Sequence, residues 1–131
     1  IPAGNSSAAY GLLRLAALTG EHEYEQRAVS VFRLLHEVAA QHAQAFGHLL
    51  QAIDFHFAPV KEVALVGDDV SELERVVRAA FRPHLVVARG EGVPLMEGRE
   101  PVDGRAAAYV CERFACKAPV TEPQELERLL A

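Results

Sequence analysis

Apolar residues in the first part of the chain recur every three to four positions. Between Ser6 and Leu18, Ala9, Leu12, Leu13, Ala16 and Ala17 share one helical face, with Asn5 or Ser6 available as an N-cap and Gly20 as the stop. Tyr24, Ala28, Val31, Leu35 and Val38 continue the period, and Ala43, Phe46, Leu50, Ile53 and Phe57 form another stripe that ends at Pro59. Globular helices usually run about 8 to 20 residues, which predicts a break near Ala40 to His42. Three helices packed as hairpins are expected.

From Lys61 the period is lost. "KEVALVG", Lys61 to Gly67, is a short continuous apolar run of the kind found in strands covered on both faces, and "HLVVARG", His84 to Gly90, is a second. Between them Leu73, Val76, Val77 and Ala80 mark a helical face, and Ser71 with Glu74 has the spacing of a capping box. Strand, helix and strand in this order make a βαβ unit with a parallel pair. Gly90 to Arg105 is rich in Gly, Pro and charge and reads as a loop. "AAAYVC" from Ala106 is a third strand candidate, and "TEPQELERLLA" a terminal helix with Thr121 and Gln124 as a second capping box.

The expected fold class is mixed α and β: N-terminal helical hairpins over residues 1–59, then over residues 60–131 a small three-stranded, largely parallel α/β portion made of a βαβ unit, a third strand and a C-terminal helix. With 131 residues and 50% hydrophobic positions, the chain can bury a proper core. No apolar run reaches the roughly 20 residues of a membrane span, and no secretion signal opens the chain, so the expectation is a soluble, cytoplasmic protein. The net charge of -5, with Lys and Arg scattered among acids, leaves no basic stripe for nucleic acid. The chain does not begin with Met, and we read it as a piece of a longer protein.

Both cysteines lie in "AAYVCERFACKAPV". In a continuous strand, residues five apart point to opposite faces and lie roughly 16 Å apart, well beyond the about 4.4 to 6.8 Å Cα separation of a disulfide. Cys111 and Cys116 meet only if the chain folds back at Arg113-Phe114, a turn without the Gly, Asn or Asp that its geometry favours. The spacing is not the C-x-x-C of oxidoreductases, and a zinc site lacks its further ligands, so no metal or other cofactor is expected. Buried free thiols packing as small hydrophobes are the favoured reading, with a redox role for Cys111 and Cys116 as the alternative.

Other candidates are thinner. His36, His42, His48 and His56 lack the i, i+3 or i+4 spacing of a helical metal pair and read as solvated or capping, while Asp54 beside His56 is an unconvincing acid/base pair because neighbours two apart on a helix do not face each other. "VGDDVSEL" has the strand-Gly-helix order of phosphate sites, but it has one Gly, and Asp68 and Asp69 stand where a phosphate would sit. In "IPAGNSS", Pro2 and Gly4 set a bend, and Asn5, Ser6 and Ser7 offer more polar groups than one cap uses. Gly4, Asn5 and Ser6 are therefore candidate binding residues.

"IPAGNSSAAYGLLRLAALTG" and "AAYVCERFACKAPVTEPQELERLL" together resemble the C-terminal end of a family of long thioredoxin-domain-containing proteins, the spermatogenesis-associated thioredoxin-like proteins and their bacterial counterparts. Gly4, Asn5 and Ser6 match the family's Gly-Asn-Ser, with Ala3 in place of the usual Ser. The resemblance implies a thioredoxin-like domain and then a helical toroid similar to six-hairpin glycosidases and sugar epimerases, both upstream partners within one polypeptide. Residues 1–59 would be the last hairpins of the toroid and residues 60–131 a terminal α/β appendage. On this footing the chain is a non-catalytic C-terminal segment. Part of a carbohydrate-active enzyme and a redox-coupled interaction module are the alternatives, although no pair of carboxylates suited to glycoside chemistry is recognisable.

Overall fold

The computed structural model of the chain describes residues 3–131; Pro2 of the expected bend lies outside them. The chain divides into two compact units, Ile1–Pro59 and Val60–Ala131.

The first unit holds three helices: α1 (Gly4–Thr19), α2 (His22–Gln41) and α3 (Gly47–Phe57), with a 3-10 turn at Ala43–Phe46 between the last two. Helix α1 ends where Gly20 adopts φ 75° and donates its N–H to the Ala16 carbonyl, which turns the chain into α2. The break after α2 falls at His42, as the length argument requires. Helix α1 packs on both α2 and α3. Ala9, Ala28 and Ala52, all fully buried, let the backbones approach closely, while Leu13, Phe32, Leu49 and Phe55 fill the remaining space. The expected stripe of α3 is out of phase: Leu49, Ala52 and Phe55 are buried, whereas Leu50 and Phe57 are exposed. The tighter 3-10 turn shifts the phase, and α3 carries apolar residues on more than one side, so periodicity alone could not choose the inner face.

The second unit is a sheet in the order β2-β1-β3-β4, with β1 Lys61–Val66, β2 Leu85–Arg89, β3 Ala107–Glu112 and β4 Ala115–Cys116. Strands β1 and β2 are parallel and joined through α4 (Ser71–Arg78), but β3 runs antiparallel to β1, and β4 antiparallel to β3. The expected three-stranded, largely parallel sheet is therefore corrected to four mixed strands. The segment between β2 and β3 contains no crossover helix of useful length, only a 3-10 turn at Pro94–Met96, so nothing carries the chain back to start a parallel strand.

One face of the sheet, including Val63, Leu65, Leu85, Ala108 and Val110, packs on Val70, Leu73 and Val77 around α4 and on Leu126 and Leu130 of α5 (Pro123–Leu130). The 3-10 turn at Pro94–Met96 packs on β1 and β2 and buries Leu95 fully. None of the expected side-chain caps forms on α1, α4 or α5: Ala3, Val70 and Glu122 occupy the cap positions. Asn5 and Ser6 lie inside the first turn of α1, and Ser71 is the first residue of α4, one place too late to cap it. The start of α4 is served by Asp69 instead, whose carboxylate accepts the Ser71 N–H at 3.0 Å.

Candidate functional site

Cys111 and Cys116 are bonded to each other in a disulfide. They are register partners across β3 and β4, so the free-thiol reading is overturned. The chain folds back at Arg113-Phe114, with φ 49° and 64° at these two residues. Positive φ at both centres is the pattern of a type I′ turn, which puts the residues of the two flanking strands face to face. Lys117 extends the pairing by donating its N–H to the Val110 carbonyl at 3.0 Å.

The same register places Glu62 of β1 opposite Cys111. Opposite residues in an antiparallel pair point to one face, so Glu62, Cys111 and Cys116 form a row across three strands. Glu62 and Ser6 are the buried polar or charged side chains among the described residues. The Glu62 carboxylate accepts the Phe114 N–H at 2.9 Å and also a hydrogen bond from the Arg113 N–H, the two turn amides that the ladder leaves unused. Burial pushes its pKa above the ordinary 4.5, opposed by these two amides and by the nearby Arg99 guanidinium and reinforced by the charge of Glu112.

Arg99 lies over this row, brought there by the segment that follows the Pro94–Met96 turn. Its Nη2 stands 2.8 Å from Cys116 Sγ and 3.7 Å from Cys111 Sγ, and its Nη1 donates to the Glu97 carbonyl. The guanidinium lies 5.9 Å from the centre of the Tyr109 ring, while the Tyr109 hydroxyl donates to the Glu100 carbonyl. Arg99 Nε is buried and makes no hydrogen bond. A bridged sulfur is a weak acceptor for a cation; a thiolate in the same place is a strong one. Cys116 is the exposed member of the pair.

The other expected site residues are not drawn together. Gly4 and Asn5 are exposed, Ser6 is buried among the helices at 3% exposure, and all three belong to the opening turn of α1. His36 and His48 donate from Nδ1 within their own helices, to the Arg33 carbonyl and to the Gln51 side-chain oxygen. His56 differs from the solvated reading: its side chain is 20% exposed, Nδ1 sits 3.5 Å from Glu25 without forming a hydrogen bond, and the ring packs near Phe32 and Phe57. At "VGDDVSEL", Gly67 is required by close approach, since a Cβ there would lie 2.7 Å from the Ala106 Cα. Among the described residues no group of three or more His, Cys, Asp or Glu is arranged to hold a metal.

The sequence pattern does not single out Glu62 or Arg99 as site residues. A charged residue inside the apolar strand "KEVALV" was a usable signal, because a glutamate buried in a sheet is rarely left unpaired. Arg99 gave no signal, for nothing in a Gly- and Pro-rich stretch shows which cation turns inward.

No family model matches the chain, and no solved structure matches it. Among curated proteins it is similar to Spermatogenesis-associated protein 20 of Homo sapiens, 28% identical over 142 residues that cover 98% of this chain and 18% of that protein. The proteins of the same name from Rattus norvegicus and Mus musculus are 28% and 26% identical over the same shares. No helix among the described residues is long and apolar enough to cross a membrane. Over almost its whole length the chain is thus similar to one segment of Spermatogenesis-associated protein 20, a segment that makes up 18% of that relative.

Proposed function

We propose that this chain is a C-terminal segment of a longer, thioredoxin-domain-containing cytoplasmic protein, and that its α/β unit contributes a thiol–disulfide couple, Cys111 and Cys116. The observation that carries the redox reading is Arg99 Nη2 at 2.8 Å from the exposed Cys116 sulfur. A guanidinium there lowers the cost of a thiolate on Cys116, which makes it both a good leaving group and a reactive nucleophile. The exchange partner is a dithiol of the thioredoxin-like class, supplied upstream in the same polypeptide. A disulfide in a reducing compartment is usually transient and catalytic or sensing, which favours a couple that cycles over a permanent staple.

Two observations support the segment reading: the 18% share of the relatives' length, and large apolar side chains left uncovered on the helical unit, with Leu34 at 74% and Phe57 at 80% exposure. Further helical hairpins of a toroid would cover them. The chain itself supplies a redox couple and structural helices, not a complete active site.

The test is a redox titration of the folded chain in glutathione buffers of graded poise, with free thiols alkylated and counted by intact mass. The expected result is one reversible two-electron transition of the native chain, with exposed Cys116 labelled before denaturation and buried Cys111 labelled once the quenched sample is denatured. Cysteines that become reducible only after unfolding in denaturant would sink the redox reading and leave the bridge as a staple.

A further inference from the structure

The two sulfurs of the couple have unequal surroundings. Cys116 is exposed, whereas Cys111 is 1% exposed. An external thiolate therefore reaches Cys116, and Cys111 is the sulfur that leaves. Its electron pair would then sit in a buried place where Arg99 Nη2 is 3.7 Å away, against 2.8 Å at Cys116, and a thiolate is disfavoured in such surroundings. Cys111 needs a proton where solvent does not reach.

Glu62 is its register partner on β1, with Cβ atoms of such pairs about 4.5 to 5.5 Å apart, and it is itself buried. We propose that Glu62 carries the proton that Cys111 takes up when the bridge is reduced, an assignment that rests on the redox couple proposed above. The negative charge is better placed on Glu62 than on Cys111, because the carboxylate accepts the Phe114 and Arg113 N–H groups and faces Arg99. Burial keeps this carboxyl protonated to higher pH than an exposed one. The other charged or titratable groups around the row are Arg99 on the covering segment, Glu112 and Tyr109 on β3, and Arg113 in the turn; Tyr109 is committed to the Glu100 carbonyl.

Written out, a dithiol's thiolate attacks Cys116 Sγ and forms a mixed disulfide. The Cys116–Cys111 bond breaks, its electron pair goes to Cys111, and the Glu62 proton follows, directly or through one water. The second sulfur of the dithiol, deprotonated, attacks its own partner sulfur, and Cys116 leaves as a thiolate held by Arg99. Two electrons pass from dithiol to bridge, the dithiol ends as a disulfide, and its two protons go to solvent. The chain ends with Cys111 as thiol, Cys116 as thiolate and Glu62 as carboxylate.

The experiment measures reduction of the full chain and of Glu62→Gln by dithiothreitol from about pH 4 to about pH 8, with rate constants expressed per dithiothreitol thiolate. Gln keeps an acceptor for the turn amides but carries no proton, and thermal unfolding of the oxidised variant checks that it folds. The expected result is a native rate constant that falls about tenfold or more as pH rises through the Glu62 titration, while Glu62→Gln stays at the low, pH-independent value. Parallel profiles in the two proteins overturn the assignment and leave the redox couple standing. A native profile that is flat overturns it without reference to the variant. Absence of any reduction short of unfolding removes the couple and the assignment together.

Discussion

Arg113 and Phe114 have positive φ, as Asp103 and Gly104 do, yet different interactions hold the two turns. Asp103 and Gly104 also have positive φ, 49° and 73°, and close a tight turn in which Val102 and Arg105 exchange N–H···O bonds of 3.0 and 2.8 Å. Asp-Gly is the residue pair such a turn prefers, a turn signal inside the stretch that otherwise reads as loop. Arg-Phe is not: each non-glycine residue in the left-handed region costs roughly 1 to 2 kcal/mol. What compensates is not local. The disulfide closes the two strands and Glu62 takes both turn amides. Replacing exposed Arg113 by Asn, which tolerates this conformation, is expected to raise the stability of the oxidised protein by about 0.5 to 1 kcal/mol in urea denaturation. A loss of stability would mean that the turn is not under backbone strain. The bridge is hard to read from the sequence for this reason, since the turn's own residues do not show the Glu62 carboxylate that holds it.

At the scale of elements, helices and strands were mostly legible, and their partners were not. The βαβ pair β1 and β2 followed from two apolar runs flanking a helical face, and both strands formed in parallel. The direction of β3 was not carried by its six residues, which suit either neighbour. It was decided by the connection before it, whose turns at Pro94–Met96 and Asp103-Gly104 return the chain to the end of the sheet where β1 finishes, so that Ala107 pairs with Val66. Gly67 sits at that crossing. With φ +119° and the Ala106 backbone in the space of a Cβ, Gly67→Ala is expected to cost about 2 to 3 kcal/mol, read as a lowered midpoint in chemical denaturation. A neutral result would show that β1 and the residue before β3 can separate there at no cost.

At the scale of the molecule, two carboxyls give pH dependences of opposite sign. Burial raises Glu62 above its ordinary 4.5, so the folded chain holds a proton that the unfolded chain releases. Its contribution is most favourable below the unfolded value and is lost as pH rises through the folded one. Asp69, held below its ordinary 3.8 by the hydroxyl and N–H of Ser71, contributes stability present above 3.8 and lost as pH falls through its folded value. Urea denaturation of the oxidised chain across the acid range is expected to show a decline above pH 4.5 that Glu62→Gln abolishes. A decline that persists in the variant would assign it to another group. The sequence by itself determined the helical first part with its break near Ala40 to His42, the βαβ pair, the change of character near Pro59 and the absence of a basic stripe, because local periodicity and composition carry these. Only the tertiary structure decided that β3 reverses, that Cys111 and Cys116 meet, and that Glu62 and Arg99 lie beside them. The physical reason is that these depend on register and on a buried charge finding its partners across the sheet, energies that no short stretch of chain contains.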